Sequence, residues 1–205
     1  MKKKLIIPLA VIILILIADQ LSKILVKTNL ILGQEINVIG HWFRIHFTEN
    51  NGMAFGLEFA GNYGKLILTL FRFVAIVAIA YYIYDLSKKN APMGLLISIS
   101  LILAGAMGNL LDSIFYGMIF NESYYRIATI FPESGGYAKF LYGRVVDWLY
   151  FPVIDTYLPN WFPFWPNRHF IFFRPVFNIA DSSITTGVFM ILLFQKKFFK
   201  NMSSN

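Results

Sequence analysis

The chain has 205 residues, of which 57% are hydrophobic, 18% aromatic and only 14% charged, a composition that excludes an ordinary soluble domain and indicates a lipid bilayer as solvent. Lysines beside long apolar runs contribute much of the formal net charge of +7, so the charge predicts membrane topology and argues against nucleic-acid binding. The absence of cysteine excludes disulfides, thiolate metal sites and a cysteine nucleophile.

The first predicted element is a membrane helix over about residues 4–24. Lysines precede the apolar run from Leu5 to Ala18, as in a secretory signal peptide, but no small-residue cleavage site follows, so we expect an uncleaved helix. Asp19 and Lys23 come next, four residues apart. This spacing fits both an ion pair that extends to the outer membrane interface and a pair with a functional role.

Residues 26–65 are expected to form a first outer loop. From Phe43 to Phe47, apolar residues alternate with polar ones, and the turn pair Asn51-Gly52 follows. Alternation of this kind over a short stretch predicts a β-hairpin or a small curled sheet.

Two further membrane helices are predicted over about residues 66–84 and 93–115, since each stretch can cross most of a ~30 Å hydrocarbon layer. Their short connection carries lysines, as do both chain ends. The positive-inside rule therefore puts these segments in the cytoplasm and residues 26–65 and 116–182 outside. Arg72 interrupts the apolar inner part of the second helix, and the sequence offers no explanation for it.

The outer end of the third helix is rich in small residues, which allow another backbone to approach closely. Asn109 and Asp112 lie three residues apart at this end and share one helix face. We expect them to orient other polar groups, a supporting role that is favoured over a catalytic one.

The second outer loop, residues 116–182, is long and aromatic, with prolines between its rings, a composition typical of the membrane interface and of a lid or platform. Its aromatic residues include Trp148, Trp161, Phe162, Phe164 and Trp165. A fourth membrane helix is predicted over about residues 183–199. The predicted fold is an all-α membrane protein of one domain, residues 1–205, with four transmembrane helices, a small extracytoplasmic β-sheet or hairpin and an interfacial aromatic loop.

Asp147 and Asp181 are each embedded in apolar sequence, where a solvated carboxylate is unexpected. For either residue alone, a helix cap or an ion pair explains the pattern equally well, and Asp181 could cap the fourth helix. If the two met, one would keep a proton, and the pair could activate water against a peptide carbonyl. Their separation of 34 positions does not by itself show that they meet.

Metal and cofactor chemistry find little support in the sequence. His41, His46 and His169 lack the spacing of a zinc motif, so no metal site is predicted. No phosphate-binding glycine loop or dinucleotide fingerprint occurs, so no cofactor is predicted either.

Three other functions remain open at this point. A serine–lysine dyad of Ser182 or Ser183 with Lys23 is conceivable but weakly supported, since these serines are ordinary helix-start residues. A proton-coupled transporter or channel would use Asp19, Asp112 and Asp181 as a relay, but would need such acids spread along the helices. A non-catalytic lipid-binding or assembly protein would need only the aromatic loops.

Five motifs together resemble those of bacterial lipoprotein signal peptidase, also called signal peptidase II. They are Asp19-Gln20-Leu21-Ser22-Lys23, Asn50-Asn51-Gly52-Met53-Ala54-Phe55-Gly56, Gly105-Ala106-Met107-Gly108-Asn109-Leu110-Leu111-Asp112, Gly143-Arg144-Val145-Val146-Asp147 and Phe177-Asn178-Ile179-Ala180-Asp181-Ser182-Ser183. They follow the family order across nearly the whole chain.

The resemblance implies an aspartic endopeptidase that removes the signal peptide from diacylglyceryl-modified prolipoproteins, cutting before the lipidated cysteine. Asp147 and Asp181 would be its catalytic pair. The substrate-binding or supporting positions would be Asp19, Lys23, Asn50, Gly52, Gly105, Asn109, Asp112, Arg144, Asn178 and Ala180. The resemblance also implies inhibition by globomycin-type peptides. From the resemblance together with the lysine distribution, we expect a monomer in the bacterial cytoplasmic (inner) membrane that contacts membrane lipids, with both termini cytoplasmic and the active site at the outer face.

The chain departs from the family pattern in two places. Ser113 stands where the family usually has arginine, and Arg144 and Arg126 are the candidates to replace that arginine. An insertion of about 25 residues lies between Gly117 and Gly143. It must loop out without displacing Asp147 and could form an extra lid element.

Overall fold

The computed structural model describes residues 2–52 and 61–200. Its long helices are α1 (Lys2–Asn29), α2 (Gly61–Lys88), α3 (Met93–Leu111) and α5 (Ile179–Lys200). α3 continues through a π-helical turn, Asp112–Tyr116, into a single turn of helix α4, Gly117–Ile119. The strands are β1 (Glu35–Ile39), β2 (Phe43–Asn50), β3 (Val145–Tyr150), β4 (Ile154–Tyr157), β5 (His169–Phe172) and β6 (Val176–Phe177).

Three stretches of the described chain are helical, long and apolar enough to cross a membrane: Lys4–Asn29, Tyr63–Lys88 and Met93–Ile119. The first two bury few of their side chains, and large apolar residues such as Leu14 and Phe71 are exposed. Apolar residues facing outward are expected where lipid is the solvent. The chain is therefore a membrane protein, and three of the four predicted spans are confirmed.

The helices begin and end at other residues than predicted. α1 continues to Asn29, beyond the predicted end near 24, and α2 begins at Gly61, ahead of 66. These polar helix ends escaped prediction because apolar periodicity stops before the hydrogen-bonded helix does. α5 begins at Ile179, ahead of the predicted 183, because Asn178 caps it.

α3 lies at the centre of the bundle and approaches α5 closely through glycines. A Cβ added to Gly105 would lie 2.2 Å from the carbonyl oxygen of Ala180, and one added to Gly187 would lie 2.4 Å from that of Ser98. Neither position can hold a side chain without moving a backbone. The close helix contact predicted from the small residues is present.

The hairpin predicted in the first outer loop is present as β1 and β2, but it belongs to a larger sheet. The order is β1-β2-β3-β6, all antiparallel, with Thr48 opposite Asp147 and Asn50 opposite Val145. β4 and β5 form a separate hairpin. The second outer loop thus supplies strands that sequence patterning did not predict, because pairing between distant segments leaves little local signal.

The aromatic residues of the second outer loop divide into two groups. Trp148 lies on β3, half-buried against a cluster that contains Phe47, Phe120 and Val146. Trp161, in the segment between β4 and β5, is exposed. Only residues of the second kind are available to contact a membrane surface.

Candidate active site

Asn178 and Asp181 form a capping box at the start of α5. The Asp181 amide donates to Asn178 Oδ1 over 2.9 Å, and the Asn178 amide donates to Asp181 Oδ2 over 3.3 Å. Asn178 is therefore the N-cap, and the prediction that Asp181 caps this helix is wrong. Asp181 lies in the first turn instead, where the helix dipole favours a negative charge.

The side chain of Asn178 also joins Asp181 to Asp147. This amide is fully buried, and its Nδ2 lies 2.6 Å from Asp147 Oδ1 and 3.1 Å from the Val146 carbonyl oxygen. One asparagine therefore touches both aspartates. The structure therefore shows what sequence spacing alone could not, namely that the two aspartates lie close together.

Asp147 projects from β3 and is only 5% exposed. Burial raises the pKa of Asp147 to about 8, and the neighbouring Asp181 is the second cause of this rise. Hydrogen bonds from the amides of Asn178 and Asn50 oppose this rise without cancelling it. A carboxyl group with a pKa raised in this way favours its protonated form at neutral pH.

Asn109, on α3, connects the aspartates to a buried ion cluster. Its Nδ2 donates to Asp181 Oδ1 over 2.7 Å, and its Oδ1 accepts a hydrogen bond of 2.9 Å from Lys23 Nζ. Asn109 and Lys23 are both buried. The contacts are of the kind that an orienting residue makes, and the orienting role of Asn109 stays a prediction.

The buried ion cluster consists of Lys23 between two carboxylates. Its Nζ lies 2.8 Å from Asp19 and 2.8 Å from Asp112, and all three side chains are fully buried. The i,i+4 pair is therefore present, but the interpretation that it extends to the membrane interface is wrong, because α1 packs these groups against α3 and α5. Asp19 also accepts from the Ala180 amide over 2.9 Å, which ties α1 to the start of α5.

Asp112 opens the π-helical turn, and this turn lets the chain return to β3. A Cβ on Gly143 would lie 2.1 Å from the Asp112 carbonyl oxygen and 2.9 Å from the Gly117 nitrogen. The two ends of the insertion therefore meet. It loops out without displacing Asp147, as the sequence required.

The structure places Arg144 in an ion-pair network beside the aspartates, and its supporting role stays a prediction. Arg144 pairs with Glu49 at 2.9 Å and with Glu122 at 2.5 Å, and not with the catalytic candidates. Lys27 also pairs with Glu49 and donates to Ser123. This network fixes the insertion to α1 and β2.

The two candidates to replace the missing arginine at position 113 are held in other contacts. Arg126 is exposed and donates to the Glu122 carbonyl oxygen, while Arg144 is held in the network just described. Ser113 itself donates its hydroxyl to the Asn109 carbonyl oxygen over 3.0 Å. The hydroxyl of Ser113 is thus used in a hydrogen bond within its own helix.

Arg72 is a site residue whose role the sequence did not explain. It lies partly buried on α2, and its Nη2 donates over 2.6 Å to the carbonyl oxygen of Gly52. It also interacts electrostatically with Asp181, Asp112 and Asp147. A cation set among apolar helix residues was the signal that could have marked it.

The other catalytic schemes do not fit the described geometry. Ser183 donates to the Leu101 carbonyl oxygen and Ser182 to that of Asn178, while Lys23 is held by its two carboxylates. A serine–lysine dyad is therefore wrong. The acids of the proposed proton relay collect in one cluster and do not line the helices, so the transporter hypothesis finds no support.

The family model for signal peptidase (SPase) II matches residues 11–197. The chain belongs to the signal peptidase II family. The resemblance carried by the five sequence motifs is confirmed.

Members of the signal peptidase II family include two relatives called lipoprotein signal peptidase. The one from Porphyromonas gingivalis is 49% identical over 185 residues, covering 90% of this chain and 80% of the relative. The one from Amoebophilus asiaticus is 39% identical over 184 residues, covering 88% and 74%. A solved bacterial membrane enzyme superposes with a TM-score of 0.60 at 25% identity, covering 95% of this chain and 90% of the other.

Proposed function

We propose that this signal peptidase II family member is an aspartic endopeptidase that removes the signal peptide from diacylglyceryl-modified prolipoproteins, cutting before the lipidated cysteine. Family membership and the relatives called lipoprotein signal peptidase support the reaction. The observation that carries the choice of catalytic residues is the contact of Asn178 with both Asp147 and Asp181.

In the proposed mechanism the two aspartates begin in opposite protonation states. Asp147 holds the proton, in keeping with its raised pKa, and Asp181, in the first turn of α5, acts as the base. Asp181 takes a proton from water as the water oxygen attacks the scissile carbonyl carbon, and Asp147 gives its proton to the carbonyl oxygen. The product of this step is a neutral tetrahedral diol.

Breakdown of the diol restores the starting state. Asp181 passes its proton to the leaving nitrogen as the carbon–nitrogen bond breaks, and Asp147 takes back a proton from a diol hydroxyl. The carboxylic acid and the free amine are released, and one water has been consumed. Both aspartates end as they began.

The remaining polar residues position the pair in this proposal. Asn178, Asn109 and Asn50 each donate to one of the aspartates. The Lys23 cluster holds α1, α3 and α5 in register beneath them. Gly52 provides a turn with positive φ, and Gly105 allows α3 to approach α5.

The membrane arrangement is also part of the proposal. α5 has 22 residues, and its length of roughly 33 Å at ~1.5 Å per residue suits a fourth span in the bacterial inner membrane. With both termini cytoplasmic, the aspartates lie near the outer face, where a lipidated cysteine would be held by its diacylglycerol. We expect one monomeric domain that contacts membrane lipids and is inhibited by globomycin-type peptides.

Asp147→Asn and Asp181→Asn test the dyad. Each is expected to lower cleavage of a diacylglyceryl-modified precursor by at least ~10²-fold, since each removes one half of the acid–base pair. The measurement is the gel mobility of the precursor after incubation with purified enzyme in liposomes.

Asp85→Asn is the matched control, because Asp85 pairs with Lys89 at the opposite end of α2. It is expected to cleave at the wild-type rate. Retained cleavage in either dyad variant would defeat the proposal.

A further inference from the structure

Arg72 lies on α2 among apolar residues of a membrane span, Tyr63–Lys88. Exposing a guanidinium to hydrocarbon is costly, so such a residue is expected to have a function and a specific partner. The contacts of Arg72 identify that partner.

Arg72 packs against the Asn50–Gly52 turn, which is hydrogen-bonded to Asp147. Its Nη2 donates over 2.6 Å to the Gly52 carbonyl oxygen, and its Nη1 lies 2.6 Å from where a Cβ of residue 52 would be. Gly52 has a φ of +87°, and its amide donates over 2.5 Å to Asn50 Oδ1. Asn50 in turn donates to Asp147, so the hydrogen bonds run without a break from α2 to the dyad.

A second cation on the same face of α2 reinforces this contact. Lys65 lies seven residues, or about two helical turns, before Arg72. Its Nζ donates over 3.0 Å to Asn51 Oδ1 and over 2.7 Å to the Tyr142 carbonyl oxygen. α2 therefore holds both the Asn50–Gly52 turn and the segment that enters β3.

The charge of Arg72 also acts on the aspartates. Asp181, Asp112 and Asp147 all lie within electrostatic range of its guanidinium. A positive charge nearby favours the ionised form of a carboxyl group. The remaining charged groups that face this region are Lys23 and Asp19 from α1 and Lys65 from α2.

We propose that Arg72 is a positioning residue for the dyad: it holds the Asn50–Gly52 turn against Asp147, and its positive charge favours the ionised form of the carboxyl groups nearby. This inference rests on the proposed peptidase function. Arg72 acts through the turn and through the electric field, and not by touching the substrate.

Arg72→Gln and Arg72→Lys test the inference, with Arg126→Gln as the matched control because Arg126 is exposed on the insertion. Cleavage of the lipidated precursor is measured in liposomes as kcat and KM across the pH range. Arg72→Gln is expected to lower kcat at least ~10-fold with KM changed less than ~2-fold. Both limbs of its pH–rate profile are expected to move upward by at least ~0.5 pH unit, because losing a cation favours the protonated carboxyls.

The conservative variant separates charge from structure. Arg72→Lys keeps the positive charge, so its pH limbs should stay at the wild-type positions while kcat falls to an intermediate value. Arg126→Gln should match wild type in every measure. Thermal unfolding in detergent shows which variants are folded. If Arg72→Gln is not folded, the positions of the two limbs in the pH–rate profile of Arg72→Lys decide the test.

The inference would be overturned if Arg72→Gln had the wild-type kcat or if the limbs of its pH–rate profile did not move. It would also be overturned if the limbs moved in Arg72→Lys. These results differ from a failure of the proposed function. If the dyad assignment is wrong, Asp147→Asn retains cleavage; if only the Arg72 inference is wrong, Asp147→Asn is inactive and Arg72→Gln is not impaired in the expected way.

Discussion

Burial gives Asp147 an acid–base property that its side chain lacks in water. An aspartate in solution is ionised well below neutral pH, whereas Asp147, 5% exposed beside Asp181, has its pKa raised to about 8. The amides of Asn50 and Asn178 stabilise the ionised form, yet burial outweighs them. The residue can therefore serve as a proton donor at neutral pH.

The alkaline limb of the pH–rate profile should report the Asp147 proton. Because the proposed reaction needs Asp147 protonated, kcat is expected to be retained below its pKa and to fall as the pH rises through about 8. The apparent value belongs to the coupled pair. Cleavage of the lipidated precursor is measured at constant ionic strength. Asp85→Asn is the control and is expected to have the same pH–rate profile as wild type. A rate that stays constant to about pH 10 would contradict the role of Asp147 as the proton donor.

At the scale of elements, the contact between α3 and α5 sets the position of Asp181. Gly105 has no room for a methyl group, since its Cβ would lie 2.2 Å from the Ala180 carbonyl oxygen and 2.6 Å from Ile184 Cγ1. α5 starts one residue before Ala180, so any shift at this contact also moves the capping box that holds Asp181. A packing glycine thus contributes to the geometry of the site.

Gly105→Ala is expected to lower the free energy of unfolding by about 1–3 kcal/mol, because the added methyl overpacks the helix contact. Precursor cleavage should fall as well, since Asp181 moves away from Asn109. Thermal unfolding in detergent and cleavage in liposomes are the two measurements. Ala80→Val is the control, because Ala80 is exposed on α2 and has space for the added methyl groups. A Gly105→Ala variant as stable and active as wild type would disprove this account.

Across the whole molecule, the buried charges collect at one end of the bundle. The Lys23 cluster, the aspartates and the network of Lys27 with Glu49 all lie beside the sheet, whereas Lys89 is exposed between α2 and α3. This asymmetry agrees with the proposed orientation, in which the sheet and the insertion face outward. The insertion, with Ser134 exposed, would then be outside the membrane.

Single-cysteine labelling tests this orientation, since the chain has no native cysteine. Ser134→Cys is expected to react with a membrane-impermeant maleimide in intact cells. Lys89→Cys, the matched control on the opposite side, should react only after the membrane is opened. Labelling of Lys89→Cys but not Ser134→Cys in intact cells would reverse the topology.

The sequence by itself determined the membrane class, three of the spans, the first hairpin and, through its motifs, the family. These features depend on composition, on apolar periodicity and on short motifs, which are local properties of the chain. The motifs also implied that Asp147 and Asp181 form a pair. What the residues alone could not supply was the physical link between these two positions.

Only the tertiary structure decided which polar groups meet. Asn178 proved to be the cap of α5 and the link between the aspartates, Lys23 proved to be buried, and Arg144 proved to bind the insertion. Arg72, unexplained in the sequence, contacts the turn before α2. Such contacts join residues far apart in the chain, and their strength depends on burial and on the neighbouring charges, neither of which is encoded in the local pattern.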